Sequence, residues 1–191
     1  MADPIARFRR WYAAARSAGM KQPDAMTLAT VGAGGRPSAR MVLLKGADRS
    51  GFVFYTNGRS RKGRELAANP RTALVLHWDP IGRQVRIEGP ARRVSDAEAD
   101  AYWATRPRAS QLAALASDQS APVTTRAQLM ARFRALDRTY CDRPVPRPPH
   151  WTGYRVVPES IEFWTHRDHR LHDRELFTRT RGGWKCSRLQ P

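Results

Sequence analysis

The stretch "MTLATVGAGGRPSARMVLLKGADRSGFVFYT", residues 26–56, decides how this chain folds. "MTLATV" (26–31) is rich in residues that suit a pleated surface. "GAGG" (32–35) supplies a turn, and "PSARMVLLK" (37–45) alternates before it becomes continuously apolar. "GADRSG" breaks that run, and "FVFYT" (52–56) reads as a third strand. Three strands joined by short loops predict an antiparallel meander.

Upstream, "MADPIARFRRWYAAARSAG" (1–19) is basic and amphipathic. Asp3 caps, Pro4 fits a first turn and Gly19 stops, so a short surface helix is preferred to a transit peptide. Downstream, "SRKGRELAANP" (60–70) predicts a helix opening on Ser60 and closing before Pro70. "RTALVLHW" (71–78) and "RQVRIEGPARRVS" (83–95) predict strands, with Gly89-Pro90 marking a bulge or an edge. "SDAE" (95–98) matches a capping box. A helical region follows, interrupted at Pro107, and "TTRAQLMARFRALDRTY" (124–140) predicts a further helix. "RPVPRPPH" (143–150) is too proline-rich for either element and reads as an ordered connector. "WTGYRVV", "SIEFWT", "ELFTRT" and "WKCSRL" predict closing strands, the last two turning at Gly182-Gly183. The expected fold is α+β: an antiparallel, small β-barrel with helical decoration. It is read as a single domain over 1–191, comprising an N-terminal helix (1–20), a barrel core with helices (26–140) and C-terminal strands (150–191).

The chain has 191 residues and 41% hydrophobic content, enough for one domain with a real core. No apolar run approaches a bilayer span, and no signal-peptide pattern is visible. Cys141 and Cys186 stand far apart without zinc spacing, so they read as free thiols in a reducing cytoplasm. The net charge of +17 is almost entirely arginine, with only Lys21, Lys45, Lys62 and Lys185 as lysines. Scattered arginine favours small phosphorylated ligands over a dedicated nucleic-acid role or polyanion binding. There is no strand–GxGxxG–helix unit and no P-loop.

Four polar clusters interrupt strand-like sequence. Arg40 and Lys45 flank "MVLL" and, five apart, fall on opposite strand faces unless a bulge intervenes. "YTNGRSRK" (55–62) runs from a strand end into a helix start bearing Ser60, Arg61 and Lys62, where amides, helix dipole and cations suit a phosphate. Arg106, Arg108 and Ser110 lie near a helix start, and Gln119 and Ser120 can read amide and carbonyl groups. In "RLHDR" (170–174), Arg170, His172 and Arg174 alternate, so an extended chain places them on one side. His166, His169 and His172 lack the partners of a recognisable metal site, and no metal is expected. Trp164 can pack on a ring, and Gln84 can bond a heterocycle edge.

"RMVLLKG", "FYTNGRSRKGREL", "RQVRIEG", "YWATRPRASQLAALASDQS", "GYRVVPESIEFW" and "HRLHDRELF" together resemble the pyridoxamine 5′-phosphate oxidase family, in order, from about Met26 to the terminal "RLQP". The resemblance implies a six-stranded split β-barrel and a homodimer whose C-terminal strands serve dimerisation, with FMN bound between subunits. It implies oxidation of pyridoxamine or pyridoxine 5′-phosphate to pyridoxal 5′-phosphate, with oxygen reduced to hydrogen peroxide. By the same resemblance Arg40, Met41, Val42, Leu43, Leu44, Lys45, Tyr55, Thr56, Arg61, Lys62, Gln84, Gln119, Ser120, Trp164 and Arg174 contact FMN. Lys45, Tyr102, Arg106 and Ser110 hold the substrate phosphate. Arg170, Leu171 and His172 line the substrate ring, with Arg170 and His172 as the catalytic pair. Members often carry a longer basic N-terminal segment, which nothing here matches. A flavin oxidase of the same fold acting on another small molecule, such as a phenazine precursor, is the competing expectation.

Overall fold

The computed structural model describes residues 3–191. Helix α1 (Pro4–Ser17) begins where Asp3 accepts the amides of Ile5 at 2.9 Å and Ala6 at 3.3 Å. It is more than a surface helix. Ile5, Phe8, Trp11 and Ala15 are buried, and Phe8 meets Phe52 edge-on at 4.9 Å. The stripe that made it amphipathic in sequence packs onto the barrel.

Strand β1 (Ala25–Val31) pairs antiparallel with β2 (Pro37–Leu43) from Ala25 opposite Leu43 to Val31 opposite Pro37. The expected meander stops there. Strand β4 (Gly51–Asn57) pairs with the short β3 (Gly46–Asp48) and with β7 (Trp151–Val156), not with β2. The other edge of β1 goes to β5 (Arg71–Trp78). The chain turns at Leu44-Lys45, where the Leu44 amide donates to Asp24 and the Lys45 amide to Val53. Strand β4 is buried along nearly its whole length, so it belongs inside a closed sheet rather than at the end of a hairpin ladder.

The long β6 (Arg83–Arg93) forms the seam. Its first part lies between β5 and β8 (Ser160–Thr165), and its last three residues pair with β7. The crossing falls at Gly89-Pro90. A Cβ on Gly89 would stand 2.1 Å from the Val157 carbonyl oxygen, so only glycine lets the strands approach there. Pro90 has no amide to leave unpaired, and its carbonyl accepts from Val157 at 2.9 Å. Strands β9 (Asp173–Thr180) and β10 (Gly183–Leu189) extend the sheet beyond β8. Among the described residues ten strands are present, more than the six implied by the resemblance; nine fall on segments read as strands, including the β9–β10 hairpin, and the short β3 is the addition.

The main core gathers Leu28, Leu74, Leu76, Val85, Ile87, Ile161, Phe163 and Phe177 under α1. Helix α2 (Arg61–Ala68) starts on the Ser60 cap. Helix α3 (Asp96–Ala104) starts on Ser95, which accepts from the Glu98 amide at 3.1 Å. The reciprocal half of the capping box is replaced, because the Glu98 carboxylate pairs with Arg155 at 2.8 Å. Helices α4 (Arg108–Ala116) and α5 (Arg126–Thr139) follow. A second apolar cluster of Trp103, Leu112, Val145 and Trp151 anchors the proline-rich connector. There the Trp103 indole donates to the Val145 carbonyl at 2.8 Å. No helix among the described residues is long and apolar enough to cross a membrane.

Candidate active site

A cleft of about 440 Å³ opens where the end of β2, strand β4, α2 and the α3–α4 turn meet. Met41, Val42, Leu43, Lys45, Tyr55, Thr56, Lys62, Tyr102, Arg106, Ser110 and Gln119 line it, together with Thr105 and Pro107, which sequence reasoning missed. Three cations and no carboxylate face this space among the described residues, which is the donor set of an anion site.

Lys62 is buried and donates to Thr56 Oγ1 and Gln119 Oε1, each at 3.2 Å. Burial, and then the nearby Arg40, push its pKa down, while Glu65 opposes the shift. Gly63 lets the start of α2 lie against the preceding turn, since a Cβ there would meet Gly58 O at 2.2 Å. Arg106 donates to the Ser110 carbonyl at 3.0 Å, and its guanidinium lies 4.9 Å from the Trp151 ring centroid. Its Nε is buried with no hydrogen-bond partner among the described residues. Arg106 lines the acid-free cleft, and an unpaired donor on such a side chain is a feature an anionic ligand would satisfy. Lys45 reaches Asp24 at 2.9 Å, a partner not legible from spacing. Tyr55 and Tyr102 stack at 3.9 Å, which fixes both rings at the wall.

Arg40 and Arg61 stand apart from this lining. Arg40 shares the inner face of β2 with Ser38 and Val42. Its donors go to Leu28, Thr30, Ser38 and Glu65. Arg61 donates its Nε to Glu65 at 2.8 Å. Burial opposes ionisation of Glu65, but the hydrogen bonds from Thr30, Ser38, Arg61 and Arg40 outweigh it and hold the carboxyl at about 2. Only the Arg61/Glu65 spacing of four was visible in the sequence. Leu44 is a core residue at 6% exposure. Ser120 is exposed with φ of 74° and lies outside the cleft lining.

The remaining predicted residues form a second set. Gln84 stands opposite Trp164 between β6 and β8, and Trp164 stands opposite Arg174 between β8 and β9. Directly opposed residues share a sheet face, so the three side chains make one row. Arg174 is held by the buried Glu162 at 2.8 Å and 3.2 Å. The His172 ring lies 4.5 Å from Trp164, and its Nδ1 accepts from the Arg167 amide at 3.2 Å. Arg170 departs from the expected alternation. Residues 168–170 form a tight 3-10 turn in which Arg170 has φ of 62°, and the strand resumes only at Asp173. Leu171 is 68% exposed. His172 and Arg174 line a separate polar cleft of about 240 Å³, so within one chain the two sets do not share a pocket.

An antiparallel sheet curled in this way, with helices around it, defines a protein of the split-barrel fold. Residues 13–139 match the family model of pyridoxamine 5′-phosphate oxidase, and residues 151–191 match the C-terminal dimerisation region of pyridoxine 5′-phosphate oxidase. The chain belongs to the pyridoxamine 5′-phosphate oxidase family, and its dimerisation region indicates a homodimer. A pyridoxine/pyridoxamine 5′-phosphate oxidase of Rubrobacter xylanophilus is 58% identical over 189 residues, covering 99% of this chain and 87% of that protein. One of Gluconobacter oxydans is 55% identical over 190 residues, covering 100% and 95%. Among solved structures, PhzG from Burkholderia lata 383, in complex with tetrahydrophenazine-1-carboxylic acid, superposes with a TM-score of 0.95 at 35% identity. It covers 100% of this chain and 94% of its own.

Proposed function

We propose that this protein binds FMN and oxidises pyridoxamine 5′-phosphate (with water entering and ammonia leaving) or pyridoxine 5′-phosphate to pyridoxal 5′-phosphate, reducing oxygen to hydrogen peroxide. The observation that carries the reading is the acid-free cleft in which Lys45, Lys62 and Arg106 converge, with Arg106 Nε left without a partner among the described residues. A phosphate monoester supplies the charge and acceptors that this set lacks.

In this reading Lys45, Tyr102, Arg106 and Ser110 hold the substrate phosphate. Lys62, Thr56 and Gln119 meet the cofactor beside it, with Arg40 and Arg61 as further phosphate donors. The row Gln84–Trp164–Arg174 belongs to the same site but comes from the other subunit, which is how two sets with separate clefts serve one ligand pair. FMN, when bound, takes the hydride and returns the electrons to oxygen. The protein's task is to keep the substrate carbon in near-attack contact. Arg170 and His172 orient the substrate ring. Because His172 Nδ1 is occupied by the Arg167 amide, the neutral ring offers Nε2–H as a donor, which suits hydrogen bonding better than proton abstraction.

The likeness to PhzG favours a second reading, a flavin oxidase acting on a phenazine precursor. Arg106 and Ser110 argue for the phosphorylated vitamer, since a ligand without phosphate leaves them unused. Purified protein is expected to be yellow, with one flavin per subunit. It should release peroxide with pyridoxamine 5′-phosphate and far less with unphosphorylated pyridoxine. Faster turnover of a dihydrophenazine carboxylate than of either phosphorylated vitamer would reverse the choice.

A further inference from the structure

Glu65 is a buried carboxylate with no role in the chemistry proposed above, yet it holds both arginines expected at the FMN phosphate. Its Oε1 accepts from Arg61 Nε at 2.8 Å, and its Oε2 accepts from Arg40 Nη2 at 2.9 Å. The same Oε2 takes the hydroxyls of Thr30 at 2.5 Å and Ser38 at 2.7 Å. Ser38 Oγ also accepts from Arg40 at 2.6 Å, so the carboxylate is locked from the sheet side while it grips the two guanidinium groups. Arg40 comes from β2 and Arg61 from the start of α2. Among the described residues no backbone hydrogen bond joins β2 to α2.

We propose that Glu65 is a positioning residue for cofactor binding: one buried carboxylate fixes two arginines from separate elements so that the Nη groups of Arg61 and the one donor Arg40 has left, its Nε–H, meet the FMN phosphate together. Arg61 spends only Nε on Glu65, and both its Nη groups lack a protein partner among the described residues. With only Nε engaged, the four N–H bonds on its Nη groups remain to be offered to a ligand. Arg40, Arg61 and Lys62 carry three positive charges and Glu65 one negative, which leaves two positive charges for a phosphate monoester of nearly two negative ones. Without the carboxylate the three cations repel one another, and the long arginine side chains regain freedom that binding must remove again.

The proposal rests on the FMN reading, and it opposes simple charge counting. Removing a negative charge beside a phosphate site should tighten binding if only net charge matters. Loss of alignment should weaken it. The test is a fluorescence titration of full-length, flavin-stripped protein with FMN and with riboflavin, which lacks the phosphate, for wild type, Glu65→Gln and Ser38→Ala. Melting temperature and circular dichroism report folding. We expect Glu65→Gln to weaken FMN about tenfold and Ser38→Ala about threefold, with riboflavin changed less than twofold in each. Ser38 lies half-buried on β2, so its variant keeps the test open if Glu65→Gln fails to fold. Unchanged or tighter FMN binding, or equal weakening of FMN and riboflavin, would overturn the positioning role alone. Wild-type protein that binds neither flavin would overturn the functional reading and this one with it.

Discussion

The Lys62 ammonium lies 3.2 Å from Gln119 Oε1, joining the start of α2 to the segment after α4 across 57 residues of chain. Thr56 Oγ1 donates to the same oxygen at 3.1 Å. A buried ammonium held by neutral oxygens has no carboxylate hydrogen-bonded to it, so an anionic ligand supplies the counter-charge it lacks. Lys62→Met is therefore expected to lower FMN affinity by about tenfold while preserving the fold, and Gln119→Ala by less. Flavin fluorescence titration checks both, and a larger effect for Gln119→Ala would reverse the assignment.

Lys62 and Arg174 lie in different clefts of one chain, so mixing subunits is informative. Assayed with FMN too dilute to fill either variant, Lys62→Ala and Arg174→Ala should each be nearly inactive alone. If each site draws Lys62 from one subunit and Arg174 from its partner, random reassociation gives heterodimers with one intact site, restoring about a quarter of wild-type turnover. No recovery on mixing would place both residues in a single subunit's site.

Arg170 sits at the exposed tip of a tight turn, away from the Lys62 cleft. Arg170→Ala should impair turnover of pyridoxamine 5′-phosphate by one to two orders of magnitude and leave bound FMN unchanged, whereas Arg61→Ala should cost FMN binding about 1.5–3 kcal/mol. Absorbance of bound flavin, measured beside peroxide release, separates the two. Exchanged effects would mean that the clusters were assigned to the wrong ligands.

Glu65 titrates at about 2 in the folded chain, against an ordinary value of 4.5. A depressed folded value gives stability that is fully present above pH 4.5 and is lost as pH falls from there toward 2. After allowance for solvent screening the contribution is on the order of 1–2 kcal/mol. Melting temperatures between pH 6 and pH 2.5 should fall more steeply for wild type than for Glu65→Gln, and parallel curves would contradict the coupling.

Gly89 marks the crossing of β6 between its two sets of partners, where a Cβ would meet Val157 O at 2.1 Å. Gly89→Ala is expected to destabilise by about 2–4 kcal/mol, because backbone on both sides must move. Urea denaturation measures it. A loss under 0.5 kcal/mol would show that the seam yields easily.

The local pieces of this protein were legible in its sequence. Asp3, Ser60 and Ser95 cap the helices they were read to open. The strands over 71–78 and 160–165 fall where their apolar patterning put them, and Gly89-Pro90 marks the break it signalled. The motif row also carried the family, which the comparisons bear out. Other features needed partners remote in sequence. Nothing in "FVFYT" announces that it pairs with residues 151–156 instead of its neighbour β2. Nothing in "RLHDR" announces a left-handed turn at Arg170. The Glu65 and Glu162 clamps, which orient three of the arginines singled out, join residues up to 25 apart for Arg40 and 12 apart for Arg174.

Sequence alone determined most of the helix and strand segments, and that the chain carries an excess of anion-seeking side chains, because capping, apolar period and side-chain charge act over a few residues. Tertiary structure decided strand order, the single row of Gln84, Trp164 and Arg174, and the division of the candidate site into two sets. Those depend on which faces are buried together, and burial is settled only when distant strands compete for the same partners.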